Sequence, residues 1–160
     1  MILQRAKILI TYLKTSITYL QIPILYISYY FFKILKVKAT KDSWVIGVDE
    51  IASNIYCLKN ILKPSISISF SHNIFYNFKY DYSINVDNIY LRYIFRLIYA
   101  PLLLGYLTNK CTHFCYIWHT GFLLNRGIEF KFLKSKSKKL VCIFVGDDIR
   151  SPKLSLQLAD

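Results

Sequence analysis

The 160 residues suffice for one domain with its own core, and a composition 54% hydrophobic and 17% aromatic excludes disorder through low hydrophobicity. Lysine and arginine number 21 against 9 acids, a formal net charge of +12 that calls for an anionic partner. The basic residues are spread among long apolar runs, which favours a lipid surface, and no nucleic-acid-binding motif is present.

Residues 1–41 differ from the rest. Residues 15–32 carry no charge and are flanked by Arg5, Lys7 and Lys14 before and by Lys33, Lys36, Lys38 and Lys41 after. As a helix this run measures roughly 27 Å, slightly less than the ~30 Å hydrocarbon layer of a bilayer. Pro23 and the polar residues Thr15, Ser16, Thr18, Gln21 and Ser28 argue further against a span, while Tyr19, Tyr26, Tyr29 and Tyr30 suit an interface. The expectation is a membrane-associating apolar helix lying in or dipping into the bilayer, with a true span as its rival. No small-residue cleavage site follows the run, which argues against a secretory signal.

From residue 42 to 160 the pattern alternates between strand and helix. Residues 44–48 form a short continuous apolar run, as a buried parallel strand requires. Asp49 and Glu50 follow, then a helix with Ile51, Ile55, Leu58 and Leu62 on one face, closed by Pro64. Ile66, Ile68 and Phe70 alternate with serines, predicting a strand with one wetter face. Residues 71–87 are polar and aromatic and read as a long loop. A helix is expected over 88–108, its uncharged part too short to span a bilayer and kinked at Pro101. Residues 113–118 predict a third strand and 122–139 a helix, although Ile128, Phe130 and Phe132 also fit a strand period. Residues 140–145 read as the clearest buried strand, and Ser151-Pro152 offers the start of another helix. Four alternations point to an α/β domain: an open, mostly parallel sheet with helices on both faces, plus the N-terminal apolar helical segment.

Cys57 and Cys142 lie in apolar segments and read as small core residues of a reducing compartment. Cys111, His113, Cys115 and His119 alternate along a strand with no second ligand pair at zinc spacing, so no metal is expected there. Asp147-Asp148 would suit a hard cation, but an adjacent pair after a strand is more often a turn and cap. No cofactor is expected either, since G-x-G-x-x-G and Walker-type loops are absent.

Ligands of open α/β sheets bind outside the carboxyl ends of the strands. Each predicted strand ends in a polar cluster: Asp49-Glu50, Ser71-His72-Asn73, His119-Thr120-Gly121 and Gly146-Asp147-Asp148. Polar loops are common in any protein, but their recurrence at all four strand ends favours a site. His119 is the candidate catalytic residue, able to act as a base near neutral pH or to donate to an anionic ligand. The basic run Lys131, Lys134, Lys136, Lys138 and Lys139 reads as a solvated face or as a rest on anionic lipid.

The order of these features resembles the N-terminal domain of GT-B fold glycosyltransferases. The resemblance rests on Trp44-Val45-Ile46-Gly47 followed by Glu50, on the aromatic loop ending Tyr80-Asp81-Tyr82, and on the strand ending in His119. Val145-Gly146-Asp147-Asp148-Ile149-Arg150-Ser151 is similar to the Gly-Ser-Asp-x-Arg segment of bacterial surface-polysaccharide sugar transferases, with Asp147 where the family has a small residue. The likeness covers about residues 44–160. It implies a Rossmann-like acceptor-side domain, with the nucleotide-sugar donor bound mainly by a second domain that these residues do not supply. It further implies a glycan or lipid-linked acceptor, an anionic membrane surface at the cytoplasmic face of the inner membrane, and no nucleic acid. By the same resemblance His119 lies near the reacting sugar and Asp148 and Arg150 shape the acceptor side. Gly146 admits close backbone approach, and Glu50 and Gly121 join the substrate side. No transferase activity is expected of the chain alone. The competing expectation is a non-enzymatic, membrane-associated binding or scaffolding protein.

Overall fold

The computed structural model describes residues 2–70, 78–84, 86, 88–117 and 120–144, with side chains from Tyr12 onward apart from Ile89. The elements run α1 (Ile2–Ile34), β1 (Trp44–Gly47), α2 (Asn54–Ile61), β2 (Ser65–Ser69), β3 (Tyr82–Ser83), α3 (Ile89–Lys110), β4 (His113–Ile117), α4 (Arg126–Ser135) and β5 (Lys139–Ile143). The five strands form one sheet in the order β3-β2-β1-β4-β5, and every pairing is parallel. The chain builds outward from β1 through β2 to β3, then crosses back to β4 and β5. This is the doubly wound, Rossmann-like order, with its switch point between β1 and β4.

Alternation along the strands separates two cores. Ile46, Cys115 and Ile117 point to one face and pack with Ile55 and Leu58 of α2. Val45, Ile68, Phe114 and Tyr116 point to the other, against Leu103, Leu104 and Leu107 of α3, Phe132 and Leu133 of α4, and Leu25 of α1. Helices therefore cover both faces, as expected. Cys111 and Cys115 belong to different cores, on opposite sides of the sheet.

Several details differ from expectation. Residues 71–87 do not form a loop throughout, because Tyr82–Ser83 adds a short parallel edge strand beside β2. The serine face of β2 is not wet: Ser67 and Ser69 are buried. Asp81 supplies the missing polarity, its Oδ2 accepting from the Ser67 N–H and Oγ, both at 2.8 Å. The same oxygen meets Lys59 Nζ at 2.9 Å. β5 is an edge strand rather than the most buried one, and Val141 on it is exposed. The helix expected over 122–139 starts at Arg126, where Asn125 Oδ1 accepts from the Gly127 and Ile128 N–H groups. Cys57 is exposed on α2 and Cys142 half-buried, so neither is a fully buried core residue.

Burial pushes the Asp81 carboxyl up, but the hydrogen bonds from Ser67 and Lys59 outweigh it and hold the group below its ordinary 3.8. A lowered folded-state value gives stability that is present above the unfolded value and is lost as pH falls through the folded one. Asp81→Asn is expected to cost about 1 kcal/mol at pH 7, discounted for the pair's partial exposure. The difference from the native chain should shrink below about pH 4, in urea titrations run across that range.

The largest difference concerns α1. It is helical as expected, and it lies against α3. Four of the polar residues that argued against a span, Thr15, Thr18, Gln21 and Ser28, are its docking groups, while Ser16 is exposed. Ser28 Oγ donates to the Leu102 carbonyl at 2.6 Å, and Asn109 Nδ2 of α3 donates to the Tyr29 carbonyl at 2.9 Å. Gln21 Oε1 accepts from the Leu124 N–H at 3.1 Å and Thr18 Oγ1 from the Asn125 N–H at 2.9 Å. Asn125 Nδ2 in turn donates to Thr15 Oγ1 at 3.0 Å. No helix among the described residues is long and apolar enough to cross a membrane, so the spanning alternative has no support.

A second clasp joins α1 to the end of α4. Lys136 Nζ lies 4.7 Å from the ring centre of Tyr29, 5.7 Å from those of Tyr26 and Phe132, and 6.0 Å from that of Tyr30. An ammonium among several aromatic faces gains about 1 kcal/mol at a partly exposed site. Lys136→Gln should lower unfolding stability by about that much, whereas Lys134→Gln on the exposed side should leave it unchanged in the same urea titration.

Candidate functional site

The carboxyl edge of the sheet gathers the segments after β1, β2 and β4. Glu50, which follows β1, is buried. Its Oε1 accepts from the Ile55 N–H at 3.1 Å, and its Oε2 accepts from the Tyr56 N–H at 3.2 Å and from the Tyr80 hydroxyl at 3.1 Å. These are the first N–H groups of α2, which lack partners within the helix. Glu50 thus serves as the side-chain cap that Ser53, at the N-cap position, does not supply. Burial, and then the neighbouring Glu50, raise the Tyr80 hydroxyl well above the usual phenol range, so it remains a donor.

Gly121, after β4, is buried against a carboxylate. A Cβ built there would stand 2.5 Å from Glu129 Oε2 and 3.2 Å from Glu129 Cδ, so only glycine admits the acid. Glu129 itself is fully buried at the start of α4. It accepts from the Tyr116 hydroxyl in a short hydrogen bond and from the Leu123 N–H at 2.8 Å. Burial drives its pKa up to about 7, against the lowering effect of Tyr116, the Leu123 and Phe122 N–H groups and Arg96. Tyr116, fully buried beside it, is held far above the usual phenol range by burial and then by Glu129.

Arg96 reaches this edge from α3. Its Nη2 donates to the Gly121 carbonyl at 3.1 Å, and its guanidinium carbon lies 5.9 Å from the ring centre of Phe70. Phe70 directly follows β2 and donates its N–H to the Val48 carbonyl at 2.8 Å. Arg96 therefore straddles the carboxyl end of β1, touching the segments that leave the strands on either side of it. Gly121, Arg96 and Phe70 thus meet at the carboxyl end of the sheet, while Glu50 is held by α2 and Tyr80. No family model, curated protein or solved structure matches this chain.

Of the residues singled out in the sequence, Glu50 and Gly121 lie on this edge, after the neighbouring strands β1 and β4. Both are engaged by the protein, Glu50 with α2 and Gly121 with Glu129 and Arg96. His119, Gly146, Asp148 and Arg150 lie outside the described residues. Among the described residues no three His, Cys, Asp or Glu side chains converge as a metal site would require. Sequence reasoning missed Glu129 and Arg96. Their signal was position: Glu129 precedes the buried Phe132 and Leu133 by three and four residues, and Arg96 precedes Ala100, Leu103 and Leu107 on one stripe of α3. A charge on a core stripe needs a reason.

Proposed function

We propose that this chain is the acceptor- and membrane-side half of a glycosyltransferase. In this reading the enzyme moves a sugar from a nucleotide-sugar to a glycan or lipid-linked acceptor in surface-polysaccharide synthesis, at the cytoplasmic face of the inner membrane. The chain alone is inactive, because the donor is bound mainly by a second domain.

The observation that carries the reading is the inverted polarity of α1. Its inner face bears Thr18, Gln21 and Ser28 around a single leucine, Leu25, all buried. Its outer face bears Tyr19, Leu20, Ile27, Phe31 and Ile34, with Leu20 73% and Ile27 68% exposed. A helix facing water on its outside shows the opposite arrangement. The neighbouring α3 continues the apolar surface through Tyr90, Tyr93, Ile94, Phe95 and Ile98, and a groove of about 280 Å³ runs along its outer side between Ile94 and Leu102. Neither helix contains an acidic residue, while Lys14, Lys33, Lys36 and Lys38 lie on or just after α1. An apolar, aromatic surface with basic flanks and no acids is complementary to an anionic bilayer, at about 1 kcal/mol per basic residue near the headgroups. The middle of α1 and the N-terminal half of α3 also hold the 121–125 loop at the carboxyl edge, through Thr15, Thr18, Gln21 and Arg96. A surface lying in lipid next to a sheet edge that takes ligands suits an acceptor carried by a lipid.

The second reading, a membrane-associated binding or scaffolding protein, draws on the same surface and on the engagement of Glu50 as a helix cap. Binding of a polyprenyl-diphosphate-linked saccharide in detergent micelles separates the two. The glycosyltransferase reading expects saturable binding of the glycolipid in preference to the bare lipid carrier, weaker binding of nucleotide-sugar, and no transfer. Equal binding of glycolipid and bare carrier supports the scaffold instead. Sugar transfer by the isolated chain overturns the half-enzyme reading.

A further inference from the structure

We infer that the furrow along the outer side of α3 holds one hydrocarbon chain of the acceptor, which makes that acceptor lipid-linked rather than a free glycan. The inference rests on the glycosyltransferase reading above and names the part of the ligand that α3 receives. The furrow measures about 280 Å³ and is lined by Ile94, Phe95, Ile98, Tyr99 and Leu102. Ile94, Ile98 and Leu102 recur every four residues and form one ridge, and Phe95 and Tyr99, also four apart, form the next. The hollow between them therefore follows the helix axis over about two turns, roughly 12 Å. An apolar cavity of about 150 Å³ accommodates a benzene ring, so this furrow has room for roughly ten carbons in line, about two isoprenoid units. Ile94, Phe95 and Ile98 are each about half exposed, so a chain can enter sideways from a bilayer without any part of the fold opening.

Lining, charge and position select the occupant. Every lining side chain is aliphatic or aromatic, so the part of a ligand that sits there is apolar. A larger hollow of about 640 Å³ lies beside Lys59, Lys63 and Pro64, but its lysines and its place at the amino end of β2 suit no hydrocarbon. Around the α3 furrow the charges have one sign: α1 and α3 contain no acid, and Lys14 and Lys33 lie on α1. A second copy of this surface would bring like charges against it, in a chain of net charge +12. A lipid with an anionic headgroup brings the complementary ones. Position then distinguishes the acceptor's chain from bulk acyl chains. Ile94 and Phe95 stand beside Arg96, whose Nη2 donates to the Gly121 carbonyl at the carboxyl edge. A chain in the furrow thus leads from the apolar surface to the edge where doubly wound sheets take their ligands.

The test uses the full chain and a series of n-alkyl monophosphates below their micelle concentrations, with affinity read by titration calorimetry at constant ionic strength. Affinity should rise about threefold per added CH₂ and level off near roughly ten carbons, where the furrow is full. No saturable binding, no dependence on chain length, or a rise that never levels off overturns the site. Ile98→Trp fills the furrow while leaving the surface apolar, and it should weaken decyl phosphate binding by about tenfold or more. Ile27→Trp, on the outer face of α1, should leave that binding unchanged. Ile94→Trp fills the other end of the furrow and covers the case in which the Ile98 variant fails to fold. Native affinity in either folded furrow variant overturns the site. The second arm compares anionic vesicles with and without a polyprenyl-diphosphate-linked saccharide. The native chain should float more completely with the glycolipid present. Ile98→Trp should lose that preference while floating with plain anionic vesicles as the native chain does. A native chain that floats but has no alkyl-chain site overturns this inference and leaves the membrane-side reading standing. An alkyl-chain site on a chain that does not float overturns that reading, and the assignment to the acceptor with it.

Discussion

Replacing Gly105 with alanine is expected to destabilise the protein by about 2 kcal/mol, read as a lower urea midpoint at unchanged slope. Gly105 is where α3 passes closest to α1. A Cβ there would stand 2.6 Å from both Cβ and Oγ of Ser28 and 2.7 Å from the Tyr29 backbone nitrogen. Two opposing effects bear on the sign. Alanine in a helix interior gains about 1 kcal/mol over glycine. Overpacking between two rigid backbones costs about 3 kcal/mol, and the Tyr29 nitrogen cannot move without its helix. The clash wins, and the Ser28 bond to the Leu102 carbonyl is strained with it. Gly127→Ala makes the natural control. Its added Cβ meets only Asn125 Oδ1, at 3.2 Å, and the effect should be close to zero. Wild-type stability in Gly105→Ala would mean that α1 is not clamped to α3.

Glu129 gives the second large effect. Glu129→Ala leaves the buried Tyr116 hydroxyl and the Leu123 N–H without an acceptor and opens a cavity under the 121–125 loop, a loss of about 4 kcal/mol. The pH dependence is more diagnostic. The folded-state pKa is raised from 4.5 to about 7, so between these values the folded chain binds more protons than the unfolded one. Stability therefore falls as pH rises from about 4.5 to about 7, and this contribution levels off above, for a total of about 3 kcal/mol. The direction is opposite to that of Asp81, whose contribution is lost toward acid. Glu129→Gln keeps an acceptor oxygen and cannot ionise, so it should flatten the profile between pH 5 and 8 in thermal or urea unfolding. A wild-type slope in that variant would show that Glu129 does not titrate in this window.

The strands at 44, 113 and 140 were legible because buried parallel strands are short apolar runs, the one at 66 because its apolar residues alternate, and the helices because their apolar stripes repeat at 3.6 residues. Tyr82–Ser83 was not, since two residues inside a polar-aromatic stretch carry no periodic signal. The serines of β2 read as a wet face because their partner, Asp81, lies 14 residues away in sequence and only the fold brings it near. The polar residues of α1 were read correctly as unsuited to a span. Their purpose, to hold α3 and the 123–125 loop from 70 to 110 residues away, depends on tertiary contacts that no local pattern encodes. At the candidate site, the position of Glu50 and Gly121 after strands was legible, whereas their engagement with α2 and with Glu129 was not. Glu129 and Arg96 sit within helices, where charges are ordinarily solvated, and burial alone distinguishes them.

The central claim is that the outward apolar surface of α1 and α3 lies in lipid. Flotation of the purified chain with anionic vesicles tests it most directly, set against a variant carrying Leu20→Asp, Ile27→Asp and Ile98→Asp together. The native chain should float with anionic vesicles, and less with zwitterionic ones. The triple variant should stay in the dense fraction with an unchanged circular dichroism spectrum. Equal flotation of the two chains would contradict the account. So would a native chain that stays off the vesicles as a dimer which the triple substitution splits, because a second copy would then be what covers the surface.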